Sequence, residues 1–174
     1  MRHFWVFGYG SLMWRPGFAY ARCETALLYG AHRSLCVYSY VHRGTPERPG
    51  LVLGLDRGGT CKGLAFAVEP ENWQATLAYL RKREQVTLVY KEATRTVRLA
   101  SGESVPALCY LVDRDHEQYA GKLDLQQQLA LVRASHGQSG PNTDYVMNTQ
   151  AHLVETGTRD PALSWLTQQL QSGA

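Results

Sequence analysis

The stretch that decides the fold is Val6-Phe7-Gly8-Tyr9-Gly10-Ser11-Leu12, in which an apolar run ends in two glycines that flank a tyrosine and precede a serine. This pattern predicts a β-strand that runs directly into a turn. Gly8 and Gly10 carry no Cβ, so a ligand or another backbone segment can approach the peptide N–H groups of the turn. Such N–H groups can hold a carboxylate or a developing oxyanion. The plainer interpretation is a strand end with a glycine turn, and this stretch alone favours it.

The composition is that of an ordinary globular protein. The 174 residues are 44% apolar and 19% charged, which allows one buried core and indicates neither disorder nor a fibrous repeat. We therefore expect a single domain over residues 1–174. Lys and Arg outnumber Asp and Glu by 18 to 15, and the basic residues are scattered. This is weak evidence for a nucleic-acid partner and fits a basic pocket for an acidic small molecule equally well.

The four cysteines lie far apart in the sequence and form no C-x-x-C pair; they are Cys23, Cys36, Cys61 and Cys109. Their spacing predicts no metal site. The chain shows neither a secretory signal nor an apolar run of membrane-spanning length. We therefore expect reduced thiols in a cytoplasmic protein that binds neither a membrane nor nucleic acid.

The remaining elements follow from hydrophobic periodicity and from turn residues. We predict strands at residues 24–29, 33–40, 51–55, 61–68, 86–90, 93–99 and 107–112, a hairpin turn at residues 56–59, a helix beginning at Pro70, and helices at residues 123–136, 142–156 and 161–170. Residues 41–50 are rich in glycine, proline and charge, which predicts a surface loop.

Glu84 is the candidate proton carrier. Trp73, Leu77 and Leu80 recur at helical spacing, and Glu84 falls on the same stripe one turn later, whereas Arg83 is expected to project away from it. Burial and the helix macrodipole both raise the pKa of a carboxyl at the C-terminal end of a helix, which suits proton transfer near neutral pH. Alternatively, the helix ends before Arg83 and Glu84 is an exposed acid paired with a neighbouring base. Spacing alone leaves the two interpretations equal.

The residues by themselves allow an enzyme but do not name its substrate. The glycine turn, the carboxylate, the basic loop at residues 41–50 and a small-residue loop near residue 140 can converge on one pocket. Such a pocket would polarise a carbonyl with backbone N–H groups and move protons with one glutamate.

Several segments occur in a characteristic order and spacing. They are Phe7-Gly8-Tyr9-Gly10-Ser11-Leu12 with Trp14, Arg43-Gly44-Thr45-Pro46 with Pro49-Gly50, Gly63 and Phe66, Tyr79-Leu80 with Arg83-Glu84, and Ser139-Gly140 with Asn142 and Tyr145. In this order they resemble the ChaC-type γ-glutamylcyclotransferases, which cleave glutathione, over residues 4–154. The resemblance implies an α+β, γ-glutamylcyclotransferase-like fold in which helices surround a small mixed β-barrel.

The resemblance also implies the roles of individual residues. Glu84 matches the catalytic general acid/base of the family. The substrate-binding residues that the resemblance implies are Tyr9, Gly10, Ser11 and Leu12, which hold the γ-glutamyl group, together with Arg43 and Tyr145. Ser11 is expected to form hydrogen bonds rather than to act as a nucleophile, because no histidine–acid arrangement or G-x-S-x-G elbow accompanies it.

The implied reaction is intramolecular. The α-amine of the γ-glutamyl group attacks its own γ-carbonyl, which gives 5-oxoproline and releases cysteinylglycine. Because the nucleophile belongs to the substrate, the resemblance implies no cofactor and no metal.

Three alternatives stay open: a cyclotransferase that acts on another γ-glutamyl amide or amine, a non-catalytic γ-glutamyl-binding or protein-interaction module, and a basic RNA-binding domain. Glu84 argues against the last two, since neither needs a partly buried carboxylate. The sequence does not indicate the oligomeric state.

Overall fold

The structure, a computed structural model, describes residues 2–85 and 88–173. Its elements are β1 (Phe4–Gly8), β2 (Arg22–Ser39), β3 (Gly50–Val68), a 3₁₀ helix (Pro70–Asn72), α1 (Trp73–Glu84), β4 (Tyr90–Leu99), β5 (Ser104–Val112), α2 (Leu125–Ala134), β6 (His136–Gly137), β7 (Gly140–Pro141), α3 (Asn142–Glu155) and α4 (Pro161–Ser172). This is the predicted α+β class. No helix in the described ranges is both long enough and apolar enough to cross a membrane.

Five strands form a closed barrel in the order β1-β3-β2-β4-β5. β1 pairs with β3 in antiparallel register, from Phe4↔Val68 to Gly8↔Leu64. It pairs with β5 in parallel register through Trp5↔Ala107 and Val6↔Leu108. Because β1 has a partner on each side, it closes the barrel and leaves no open edge there. The opening apolar run is therefore an interior strand, and the predicted mixed barrel is confirmed.

β2 is one strand of 18 residues and not the two shorter strands that the sequence predicts. The predicted break lies at Gly30, which adopts a positive φ of 90° inside the strand. Glycine tolerates this conformation, so the strand continues through a residue that usually marks a turn.

β3 is likewise one strand of 19 residues, and the hairpin turn predicted at residues 56–59 is wrong. Gly58 has a φ of 98°, yet the chain does not reverse there. The segment is held by partners from distant parts of the sequence. Arg114 donates from Nε to Asp56 Oδ1 at 2.8 Å, and His32 Nδ1 lies 2.8 Å from Gly58 O. Tertiary contacts therefore override the local turn signal.

Aspartate side chains cap the starts of two helices. Asp124 forms a capping box with Gln127 at the start of α2, and Asp160 accepts a hydrogen bond from Leu163 N at 3.0 Å at the start of α4. His136 lies in β6 and not in the preceding helix, where it was predicted. In the predicted strand at residues 86–90, residues 86 and 87 lie outside the described residues, and β4 begins at Tyr90.

The described chain divides into two compact units, one of residues 1–34 and 54–116 and the other of residues 35–53 and 117–174. We call them unit 1 and unit 2. A buried cluster in unit 1 consists of Val6, Leu12, Val68, Leu80 and Tyr110. In unit 2, α2, α3 and α4 pack against one another. The expectation of a single domain stays a prediction.

Candidate functional site

The turn after β1 packs back onto the end of its own strand. Met13 N donates to Gly10 O at 2.9 Å, which closes the turn. Leu12 is buried and Ser11 is exposed. A Cβ added at Gly8 would lie 3.0 Å from the Cβ of Leu12. The turn therefore approaches the strand end so closely that a side chain at Gly8 would have to displace Leu12 by a few tenths of an ångström. The predicted passage from strand to turn is confirmed.

Arg33 on β2 fixes this turn from the side. Its Nε donates to Tyr9 O at 2.6 Å, and its Nη2 donates to Lys62 O on β3 at 2.8 Å. The guanidinium thereby ties the turn to two other strands. Sequence reasoning missed Arg33 because its two shortest hydrogen bonds go to backbone carbonyls, which carry no residue-specific signal.

Glu84 is the last residue of α1, and only 16% of its side chain is exposed. Burial raises the pKa of the Glu84 carboxyl, and the neighbouring Arg83 guanidinium, 3.5 Å from Oε1 to Nε, opposes the rise only in part. The helix therefore runs through Arg83 to a mostly buried carboxyl. The alternative of an exposed Glu84 is wrong, although its pairing with a neighbouring base is right.

Arg83, which helical spacing places away from the apolar stripe of α1, contacts the turn that follows β1. Its Nη2 donates to Ser11 Oγ at 2.8 Å and its Nη1 donates to Tyr79 Oη at 3.0 Å. Nη1 also donates to Arg15 O at 2.5 Å. Arg83 therefore contacts both the predicted acid/base and the predicted γ-glutamyl-binding turn. In unit 1 the structure thus brings together two groups of residues that are separated by more than 70 positions.

A second carboxyl, Glu92 on β4, lies in a different electrostatic environment from Glu84. Arg81 Nε donates to Glu92 Oε1 at 2.8 Å, and this hydrogen bond holds the pKa of Glu92 below its usual range. Tyr110 Oη also donates to Glu92 Oε1, at 3.1 Å. Burial raises the pKa of Tyr110, and the charges of Glu92 and Glu84 add to that rise. The surroundings thus push the pKa values of the two carboxyls apart, and only Glu84 is poised to carry a proton.

In unit 2, the structure brings together the two other predicted substrate residues. The Arg43 guanidinium lies over the Tyr145 ring at 5.7 Å from its centroid, and Arg43 Nη1 donates to Pro141 O at 3.2 Å. Tyr145 Oη accepts a hydrogen bond from Leu53 N at 2.9 Å. The Tyr145 side chain is therefore held by Arg43 at the face of its ring and by the Leu53 N–H at its hydroxyl.

Asn142, the first residue of α3, is fully buried. Its Oδ1 accepts from Leu51 N at 2.8 Å and its Nδ2 donates to Leu51 O at 2.9 Å. The side-chain amide thus pairs with one strand residue as a neighbouring strand would. A Cβ added at Gly50 would overlap the Arg43 carbonyl oxygen and lie 3.0 Å from Asn142 Oδ1, so the Arg43 backbone is the main reason that glycine is required at that position.

The cysteines are distributed as the sequence predicts. All four are free thiols, of which Cys36, Cys61 and Cys109 are buried and Cys23 is exposed. Burial raises the pKa of Cys109 to about 11, so this thiol stays protonated at neutral pH. Within residues 2–85 and 88–173, no three His, Cys, Asp or Glu residues are arranged to hold a metal ion.

Comparison with known proteins decides the family. The profile of the family described as ChaC-like protein matches residues 4–172. The chain belongs to the ChaC-like family. One relative in the family is the glutathione-specific γ-glutamylcyclotransferase of Escherichia coli, which is 33% identical over 160 residues, 92% of this chain and 69% of that protein. Another is the human glutathione-specific γ-glutamylcyclotransferase 1, 34% identical over 147 residues, 82% of this chain and 66% of that protein.

The chain therefore spans about two thirds of the length of these ChaC-like relatives. Among solved structures, it is similar to a yeast γ-glutamyl cyclotransferase specific to glutathione, with a TM-score of 0.85 and 23% identity. That similarity covers 98% of this chain and 96% of the yeast chain, and it supports the γ-glutamylcyclotransferase-like fold.

Proposed function

We propose that this protein is a glutathione-specific γ-glutamylcyclotransferase. In the reaction, the α-nitrogen of the γ-glutamyl group forms a bond to its own γ-carbon, and the bond from that carbon to the cysteinyl nitrogen breaks. The products are 5-oxoproline and cysteinylglycine. The reaction consumes no water and needs no oxidant or reductant.

The observation that carries the proposal is the mostly buried Glu84 carboxyl with its raised pKa, connected through Arg83 to the Ser11 turn. The membership of the ChaC-like family and the names of the relatives supply the substrate class. A carboxyl with a raised pKa is suited to take and return a proton near neutral pH.

We assign the general acid/base role to Glu84. The α-ammonium of the substrate must lose a proton before it can attack, and the Glu84 carboxylate accepts that proton. The protonated carboxyl then donates to the departing amide nitrogen as the tetrahedral intermediate collapses. The α-nitrogen loses two protons in all as the ammonium becomes the lactam N–H, and the cysteinyl nitrogen gains two as it leaves as an ammonium. Glu84 therefore ends in its starting state if it takes and returns these protons one at a time.

We assign the γ-glutamyl group to the turn of Tyr9, Gly10, Ser11 and Leu12. The support is that the turn is held in place by two arginines: Arg33 donates to the Tyr9 carbonyl and Arg83 donates to the Ser11 hydroxyl. Arg43 and Tyr145 remain proposed substrate residues, supported by the family motif and by their contact with each other. We also propose a cytoplasmic location, which the four free thiols support.

The first experiment measures 5-oxoproline by mass spectrometry after incubation with glutathione and, separately, with γ-glutamylalanine. We expect 5-oxoproline from glutathione alone. Formation of 5-oxoproline from γ-glutamylalanine alone would support the proposed cyclisation but contradict glutathione as the substrate. No product from either, with folded protein, would favour another γ-glutamyl amide or amine, or a non-catalytic binding module.

Glu84→Gln tests the assigned role directly. The amide cannot take a proton from the substrate ammonium, so we predict a loss of about 10²- to 10⁴-fold in kcat, the range typical of general acid/base catalysis. Glu71→Gln is the matched control, since Glu71 is an exposed glutamate just before the same helix. Turnover by Glu84→Gln within a few fold of the wild type would remove Glu84 from the mechanism.

A further inference from the structure

We propose that Arg83 is a positioning residue that holds the Glu84 carboxyl and the Ser11 turn in one fixed arrangement. The inference rests on the proposed function, because it concerns how the acid/base of that reaction is held against the group that binds its substrate.

The contacts of Arg83 explain why the residue is an arginine. Its side chain is 20% exposed, and its three nitrogens are aimed in different directions. Nε lies 3.5 Å from Glu84 Oε1, Nη2 donates to Ser11 Oγ at 2.8 Å, and Nη1 donates to Tyr79 Oη at 3.0 Å. A planar guanidinium can make these contacts at once, whereas a lysine ammonium is a single point charge.

The loop that follows the turn is held by the same residue. Arg83 Nη1 donates to Arg15 O at 2.5 Å and lies 3.3 Å from Pro16 O. The next residue, Gly17, has a φ of 76° and packs so tightly on Tyr79 that an added Cβ would overlap the tyrosine hydroxyl. The end of α1 and residues 11–17 therefore form one packed assembly with the Arg83 guanidinium at its centre.

Arg83 also limits how far burial raises the pKa of Glu84. It is the cation that lowers the pKa of Glu84 against the effect of burial. Among the described residues, the Tyr110 hydroxyl on β5 also interacts with the charge of Glu84, and this hydroxyl donates to Glu92 on β4. Glu92 is itself paired with Arg81. Loss of Arg83 therefore removes positive charge from beside Glu84 without a second cation in contact to replace it among these groups.

The experiment compares Arg83→Met and Arg83→Lys, with Lys82→Met as the control. Lys82 is an exposed residue of the same helix turn, so Lys82→Met removes the same charge without these contacts. For Arg83→Met we expect kcat/KM with glutathione to fall about 10²-fold, the scale of a misplaced catalytic group. The acidic limb of its pH profile should move to higher pH by about half a unit or more, because the pKa of Glu84 rises.

Arg83→Lys separates charge from geometry. It should leave the acidic limb near its wild-type position, because the charge remains, while kcat/KM stays at least about tenfold low, because an ammonium cannot make the three-way contact. Lys82→Met should match the wild type in both measures. Wild-type kcat/KM in folded Arg83→Lys, or an unshifted acidic limb in folded Arg83→Met, would overturn the proposal.

A titration of the Glu84 carboxyl by carbon-13 NMR, in the wild type and in Arg83→Met, gives a readout that does not need turnover. We expect a higher Glu84 pKa in the variant, and an unchanged value would overturn the proposal. If the wild type releases no 5-oxoproline from any γ-glutamyl compound, the proposed function fails and this titration still tests the contact. Circular dichroism identifies the folded variants. If Arg83→Met does not fold, kcat/KM of Arg83→Lys decides: a value at least about tenfold below the wild type supports the proposal, and a wild-type value overturns it.

Discussion

At the residue scale, Glu84 links the chemistry of the site to the stability of the fold. Its pKa is raised in the folded protein, so the folded state favours the protonated carboxyl. At pH values below the ordinary glutamate pKa, Glu84 is protonated in both the folded and the unfolded state, so burial of its carboxyl does not lower the free energy of unfolding. As pH rises through the folded pKa the carboxyl ionises in its buried position, and the free energy of unfolding falls.

Glu84→Gln removes that penalty. We predict that its free energy of unfolding exceeds that of the wild type at pH 7, because the raised pKa of Glu84 means that burial disfavours the carboxylate more than the Arg83 ion pair favours it. The advantage should vanish near pH 4. Urea unfolding at both pH values measures it, and a variant less stable than the wild type at pH 7 would mean that the ion pair outweighs burial.

The buried side chain of Asn142 forms the two backbone hydrogen bonds that a neighbouring strand would form with Leu51. Because both ends of its amide pair with Leu51, Asn142→Ala leaves a buried donor and a buried acceptor without these partners. We predict a loss of about 2–4 kcal/mol in the free energy of unfolding. Asn72→Ala is the control, because Asn72 is exposed and its side chain does not cap α1, and it should change stability by less than about 0.5 kcal/mol. Equal effects of the two substitutions would contradict this role.

At the element scale, the approach of β3 to the end of β1 depends on Gly63. A Cβ added there would overlap the Gly8 carbonyl oxygen and lie 2.8 Å from the Phe7 ring. Gly63→Ala must therefore push the end of β1, and the turn that follows it, out of position. We predict a loss of about 2 kcal/mol or more in stability and a fall in turnover.

Gly58→Ala is the comparison within the same strand, because Gly58 has open space around its Cβ position but a positive φ. It should cost about 1–2 kcal/mol through backbone strain alone and keep its turnover. Thermal unfolding and the 5-oxoproline assay separate the two effects. Wild-type turnover in Gly63→Ala would show that the turn tolerates the displacement.

At the scale of the whole molecule, long-range ionic contacts hold together segments that the barrel does not pair directly. Asp56 on β3 has a side chain only 6% exposed, and it is bonded to Arg114, which follows β5. These strands are not neighbours in the barrel. Arg114→Met leaves the carboxylate buried without this guanidinium, and we predict a loss of about 2–3 kcal/mol.

The double variant Asp56→Asn with Arg114→Met should recover part of that loss, because a neutral amide costs less to bury than a carboxylate. Chemical denaturation of the wild type, both single variants and the double variant gives the coupling between the two residues. A coupling free energy near zero would mean that the Asp56–Arg114 ion pair does not stabilise the fold.

The features that the sequence by itself determined are local ones. The end of β1 at Gly8, the stripe that carries Glu84 on α1, and the cap of α4 by Asp160 all depend on residues within a few positions of each other. Hydrophobic period, glycine and capping side chains report such features directly, because backbone conformation there is set by neighbouring residues. The family motif added the proposed binding role of Tyr9, which no local pattern supplies, and it agrees with the helical stripe on the proposed acid/base role of Glu84.

Only the tertiary structure decided how these features are held. β2 continues through Gly30 and β3 continues through Gly58, because partners far along the chain stabilise extended backbone where the sequence predicts a turn. The tertiary structure also turned Arg33 and Arg83 toward the glycine turn. The partners of these two arginines are mostly backbone carbonyls and hydroxyls far along the chain, so no spacing in the sequence predicts the contacts. The helical or strand periodicity predicts on which face of an element a side chain lies, but the tertiary fold determines which residues that side chain contacts.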